Sequence, residues 1–159
     1  MRNFIFVLLF LPGIAVFSQS VPIVDFEQLQ PRLQLSNDTT YIVNFWATWC
    51  LPCIKEMPAF QKIHEEYISQ KVKVLLVSLD FVKHIDSRLI PFIEKHELTP
   101  EVIVLNDPDA NAWIDKVSPR WSGALPATLI FNKNFREFFE QEFTYLSLKQ
   151  IVESNLVKQ

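Results

Sequence analysis

Val43-Asn44-Phe45-Trp46-Ala47-Thr48-Trp49-Cys50-Leu51-Pro52-Cys53-Ile54-Lys55-Glu56-Met57-Pro58 holds both cysteines of the 159-residue chain, three positions apart. Upstream, Tyr41 to Ala47 is apolar and rich in β-branched and aromatic residues, the signature of a buried strand. Downstream, Ile54, Met57, Phe60, Ile63 and Tyr67 recur every three or four residues, which predicts one helical face from Pro52 to about Gln70. The cysteines therefore sit where a strand turns into a helix. That spacing lets two thiols approach closely enough to bond, and the positive end of the helix favours a thiolate. Cys50, the first and more exposed, is the natural nucleophile, and Cys53, a turn inside, the natural resolving thiol. Such a pair suits thiol–disulfide exchange, in which attack forms a mixed disulfide and the second thiol releases the partner. Two structural alternatives compete. A disulfide closing so small a loop would contribute little stability, and a structural zinc site usually needs four ligands, against one cysteine pair and three scattered histidines.

Working outward, Val72 to Leu79 is almost continuously apolar, as expected of a central parallel strand covered on both faces. A helix is expected over Ile85 to His96 despite Pro91, a short strand over Glu101 to Leu105, and a helix over Asp107 to Val117 with Pro108 in its first turn. Ala127 to Phe131 and Phe135 to Phe139 read as strands joined by a turn at Asn132-Lys133-Asn134. Asp25 with Gln28 resembles a capping box ahead of Phe26, Leu29 and Leu33, interrupted by Pro31, and Ser147 with Gln150 suggests the cap of a last helix. Strands alternating with helices, then a hairpin, imply an α/β layered fold with a central mixed sheet flanked by helices.

The N-terminus carries Arg2, the apolar run Phe4 to Leu11, Pro12-Gly13 and small residues near Ser18, the pattern of a secretory signal over residues 1–18. A membrane anchor is the alternative, but the apolar stretch is shorter than the roughly 20 residues that span a bilayer. Residues 19–159 then form one domain, long enough to bury about two-thirds of its unfolded surface. At 49% hydrophobic and 21% charged, with a mean hydropathy of +0.13, the composition excludes disorder and a disulfide-dense scaffold. The net charge of −3 becomes more negative when Arg2 leaves with the leader, so nucleic-acid binding has no electrostatic footprint. Only Gly13 and Gly123 are glycines, which excludes a glycine-rich phosphate cradle.

With Trp49 ahead of the pair, Lys55-Glu56-Met57-Pro58 after it and Leu125-Pro126 far downstream, the segment resembles the active-site segment of thioredoxin-fold proteins. It is most similar to the TlpA/ResA-like family of exported thiol-disulfide oxidoreductases, and the resemblance runs from Tyr41 to the last helix. It implies a thioredoxin-like fold, and the span between Cys53 and Pro126 leaves room for an extra helix and strand around residues 83–105 between the active-site helix and the cis-proline strand. By resemblance, Pro126 is that cis-proline, facing the cysteines, and Leu125 presents backbone groups to an extended substrate segment. Trp49, Leu51 and Pro52 complete the substrate-facing surface. The alternative for Pro126 is an ordinary trans proline entering a strand. Pro58 lies inside the helical pattern and should kink the helix one turn past the cysteines. Trp46 reads better as core, His64 as solvated, and the Phe-rich stretch from Phe131 to Phe143 as sheet and helix core.

Glu56 stands three residues beyond Cys53, one helical turn along the same side. Partly buried, it would have a raised pKa and could take the Cys53 proton during resolution; the family assigns a glutamate here to thiol acid–base chemistry. Many thioredoxins carry a buried Asp on the preceding strand, where this chain has Asn44. A solvated helix carboxylate is the alternative. The resemblance implies catalysis through a redox-active Cys50–Cys53 disulfide, with no cofactor and no metal. It implies a periplasmic monomer acting on disulfide-bearing proteins, apocytochrome c among the candidates, and re-reduced by a membrane electron donor. Leu51-Pro52 lacks the histidine typical of strong oxidants, which favours a reductant over an oxidase or isomerase on the same fold. A copper-binding or redox-sensing protein on a related fold is a further alternative, and copper chaperones of that kind usually space their cysteines more widely and add a distant histidine. A peroxidase would need a different local cysteine motif.

Overall fold

The computed structural model describes residues 20–156, so the expected signal segment 1–18 lies outside the described residues. Six strands form one sheet: β1 (Ile23–Val24), β2 (Thr40–Trp46), β3 (Val72–Ser78), β4 (Glu101–Leu105), β5 (Ala127–Phe131) and β6 (Arg136–Phe139). Their order across the sheet is β1-β4-β3-β2-β5-β6. The first four in that order run parallel, and β5 and β6 join antiparallel. The thioredoxin-like arrangement with its mixed sheet is thus present.

Side chains alternate across a strand, and this alternation sorts the core into two layers. Ile42 and Trp46 of β2, with Val74 and Leu76 of β3, pack against the helices α2 (Leu51–Tyr67), α3 (Ile90–Lys95) and α5 (Tyr145–Asn155). Val43 and Phe45, with Leu75 and Val77, face the opposite helices α1 (Phe26–Leu29) and α4 (Ala110–Val117). From Ile42 in β2 and Val74 in β3 onward both faces are covered, which is why these strands read as apolar runs. Aromatic rings fill much of the space: Phe143 meets Phe60 edge-on at 6.4 Å and Phe139 at 5.3 Å. Each fully buried side chain of this size is worth about 1.5–3 kcal/mol.

The added segment between β3 and β5 contributes α3 and β4, and β4 extends the parallel half of the sheet to reach β1. The helix expected over residues 85–96 is broken up. A 3₁₀ turn at Val82–His84 leads into a π-helical turn at Ile85–Leu89, and regular α-helix begins only at Ile90. Pro91 explains this, because it brings no N–H to the ladder and needs a helix start beside it. Helix α4 starts at Ala110 rather than Asp107, with Asp109 as its N-cap residue. The Asp107 carboxylate instead accepts from the Phe26 N–H, tying the loop to α1. Both halves of the Asp25–Gln28 capping box are formed, and Pro31 converts the next turn to 3₁₀. The cap of α5 is Thr144, and Ser147 is its N3 partner rather than the cap.

Candidate active site: the Cys50–Cys53 turn and the buried Glu56

Strand β2 ends at Trp46, whose carbonyl accepts from the Leu79 N–H at 2.8 Å, and the Cys50 N–H closes a turn onto the Ala47 carbonyl at 3.1 Å. Cys50 is the N-cap of α2: its sulfur accepts from the Cys53 N–H at 3.3 Å. The two sulfurs are bonded, with Cα atoms 5.3 Å apart. Cys50 keeps 6% exposure and Cys53 none. Once the pair is reduced, a negative sulfur at Cys50 would lie at the positive end of a 17-residue helix, the setting that stabilises a thiolate.

Around Cys50 the surface is apolar. Trp49 is 56% exposed and Leu51 76%, and Pro52 is also exposed. The Leu125–Pro126 peptide is cis. Pro126 directly precedes Ala127, which pairs with Phe45 near the end of β2, so the proline stands beside the strand end that leads into the cysteine turn. Pro126 is buried, and half-buried Leu125 packs against both core layers. The loop feeding it is held by the Trp121 indole N–H on the Ala124 carbonyl at 2.8 Å, with Gly123 at φ +92° making the bend. Trp46 is fully buried and packs on Phe92, as core. Helix α2 runs unbroken from Leu51 to Tyr67 with Pro58 inside it. His64 is half-buried rather than fully solvated, and burial pushes its pKa down.

Glu56 is 1% exposed. Its Oε1 accepts from Asn44 Nδ2 at 2.9 Å and its Oε2 from the Phe143 N–H at 2.8 Å. Burial raises its pKa to about 7, against those two donors, which pull it down; the Glu142 carboxylate adds a further upward push. A solvated carboxylate is not what stands here. The placement has a consequence for stability. The carboxyl has an ordinary value of 4.5 and about 7 in the fold, so the folded protein binds the proton more tightly. The resulting stabilisation is full below pH 4.5 and is lost as pH rises to 7, amounting to about 3 kcal/mol. Glu56→Gln should therefore gain stability relative to the parent between pH 4.5 and 8. Urea unfolding at the two pH values checks it, and a constant difference between the proteins would contradict it.

Three residues here escaped the sequence reading. Asp80 is buried, its Oδ2 accepting from the Thr48 N–H at 2.9 Å and the Ser78 hydroxyl at 2.8 Å, its Oδ1 from the Thr48 hydroxyl at 2.6 Å. This clamp binds the loop after β3 to the residue two before Cys50. It carries Phe81, 65% exposed, and the exposed Val82 to the same end of the sheet. The available signal was their position just past the C-terminal end of a parallel strand, where open α/β sheets place their sites.

Comparison with known proteins agrees with this geometry. Residues 20–136 match the AhpC/TSA family. The thiol-disulfide oxidoreductase ResA of Geobacillus thermodenitrificans is 32% identical over 133 residues, covering 82% of this chain and 71% of that protein. The thioredoxin-like protein YneN of Bacillus subtilis is 33% identical over 72 residues, 45% of this chain and 42% of YneN, so that match spans less than half of the relative. Among solved structures, a DsbF homologue from Corynebacterium diphtheriae superposes with a TM-score of 0.61 at 25% identity, covering 74% of this chain and 73% of the other.

Proposed function

The chain belongs to the AhpC/TSA family as a ResA-like thiol–disulfide oxidoreductase, and on that premise we propose that it reduces protein disulfides outside the cytoplasm. The observation that carries the reading is the bonded Cys50–Cys53 pair at the start of α2, with the buried Glu56 carboxylate one turn inside. In the reduced protein the Cys50 thiolate attacks one sulfur of a substrate disulfide. The substrate S–S bond breaks, its other sulfur leaves as a thiolate and takes a proton from water, and a Cys50 mixed disulfide forms. Cys53 then gives its proton to Glu56 and attacks the Cys50 sulfur. The mixed disulfide breaks, the second substrate sulfur leaves as a thiolate and takes up a proton, Glu56 gives up the one it received, and Cys50–Cys53 is closed. Two electrons have passed to the substrate.

Trp49, Leu51 and Pro52 supply the docking surface, joined by Phe81, with Leu125 and cis Pro126 beside an extended substrate segment. Clients are disulfide-bearing proteins, apocytochrome c among the candidates. A membrane electron donor restores the dithiol, because the protein is left oxidised after each turnover. Residues 1–18 direct export to the periplasm, residues 19–159 are the working domain, and the protein acts as a monomer without cofactor. A single-turnover experiment tests the function: reduced protein is mixed with a protein disulfide, acid-quenched and counted by mass. One Cys50–Cys53 disulfide should form for each substrate disulfide lost. Substrate left intact beside a protein that stays reduced would refute it.

A further inference from the structure

Both oxygens of Glu56 face N–H donors, Asn44 Nδ2 on one side and the Phe143 backbone on the other. An ionised carboxylate is satisfied by that arrangement. A protonated one is not, because its O–H would point at a group that can only donate. The Phe143 N–H is fixed by the chain. The Asn44 amide is not: half a turn about its Cβ–Cγ bond exchanges donor for acceptor. Its Oδ1 is buried and has no hydrogen-bond partner among the described residues. Directly across the sheet, Thr128 pairs in register with Asn44, and its hydroxyl accepts from Nδ2 at 3.1 Å. A hydroxyl can equally donate.

We infer that Asn44 is a positioning residue for proton transfer, its amide turning over as Glu56 gains and loses a proton. Toward the carboxylate it presents Nδ2, with Thr128 accepting. Toward the acid it presents Oδ1, which receives the Glu56 O–H and the Thr128 O–H together. A buried acid that must hold either state during one catalytic cycle thereby has a matched partner in each. The Glu142 carboxylate, in the loop before α5 and paired with Lys55 at 2.6 Å, offers no such exchange, and Cys53, one turn back on α2, is the proton source in the proposed function. The inference rests on the reading of Glu56 as the acceptor of the Cys53 proton.

Neutron diffraction distinguishes amide nitrogen from oxygen and locates the exchanged deuterons. Crystals of the oxidised protein at pH 9 should show Nδ2 facing Glu56, and at pH 5 Oδ1 facing it with a deuteron between. In Glu56→Gln the amide should present Oδ1 at both pH values, since the introduced carboxamide donates on that side while accepting from Phe143. Nδ2 facing residue 56 in every crystal would overturn the inference. Function gives a second readout. Asn44→Leu removes a donor to the carboxylate and an acceptor for the acid, and because the bond to the charged form is the stronger of the two, the ionised form loses more. The substitution should move the pH midpoint of mixed-disulfide resolution upward by about one unit, about fivefold slower at pH 7, with the high-pH plateau retained. An unmoved midpoint would also overturn it. Resolution that is indifferent to Glu56→Gln would instead remove the proton-acceptor reading, so the two failures are distinguishable.

Discussion

Cys53→Ser should turn the protein into a trap that accumulates covalent mixed disulfides with its clients, whereas Cys50→Ser should capture almost none. The asymmetry follows from position. Cys50 is the only residue of the pair with any exposure, at the N-cap of α2 and beside the exposed Trp49 and Leu51. Cys53 has no exposed surface and can reach a substrate only through Cys50. In the native protein the second thiol is held on the same helical turn as the mixed disulfide, so resolution is intramolecular. Well-placed intramolecular groups act at effective concentrations of about 10⁵ M or more, far above any thiol in solution. Removing Cys53 should therefore lengthen the life of the mixed disulfide by on the order of 10³-fold at least. Non-reducing electrophoresis followed by mass spectrometry of the linked peptides measures it. Clients attached to Cys53 in the Cys50→Ser protein, at a level matching the reverse variant, would reverse the roles assigned here.

Glu56→Gln should slow the resolution of a preformed Cys50 mixed disulfide by about 10²-fold at neutral pH, the usual effect of a lost general base. Burial is what gives the carboxyl this capacity, raising its pKa to about 7, where it can both receive and return a proton. The parent rate should climb as Glu56 ionises, with a midpoint near 7, and level off above it. In the variant only direct ionisation of Cys53 remains. An unperturbed cysteine ionises near about 8.5, and burial without a charged partner raises that further, so the climb should shift to alkaline pH. Stopped-flow measurement between pH 5 and 9 separates the two profiles. Identical rates and profiles would leave Glu56 a structural residue.

What could be read beforehand was what depends on neighbours in the chain. The cysteine spacing, the apolar runs of β2 and β3 and the face of α2 are local patterns, and each reports burial or chemistry within one element. Glu56 was legible as a site candidate because i and i+3 on a helix share a side whatever the rest of the fold does. Its complete burial was not, since that depends on β2 and on the loop at Phe143, 87 residues away. Asn44 could be seen as a polar residue in an apolar strand, but its partners come from α2 and β5. The Asp80–Thr48 clamp spans 32 residues and leaves no periodic trace. Strand β1, two residues long, exists only because β4 offers an edge to pair with. At α5 the capping signal was real but displaced by three residues. Thr144 and Ser147 satisfy each other reciprocally, while Ser147 with Gln150 mimics the same spacing one turn on. Pro91 argued against a continuous helix, and the molecule answered with a wide π turn ahead of it rather than by losing the helix.

Electrons should flow from Cys50–Cys53 to the substrate, and the reduction potential of the pair decides whether they do. Equilibration against graded dithiothreitol or glutathione couples, with acid quenching and mass counting of the oxidised fraction, gives the value. A reductant of protein disulfides should lie near the thioredoxin value of about −270 mV. A potential above roughly −180 mV would place the protein with the isomerases and oxidases and contradict the direction of electron flow proposed here.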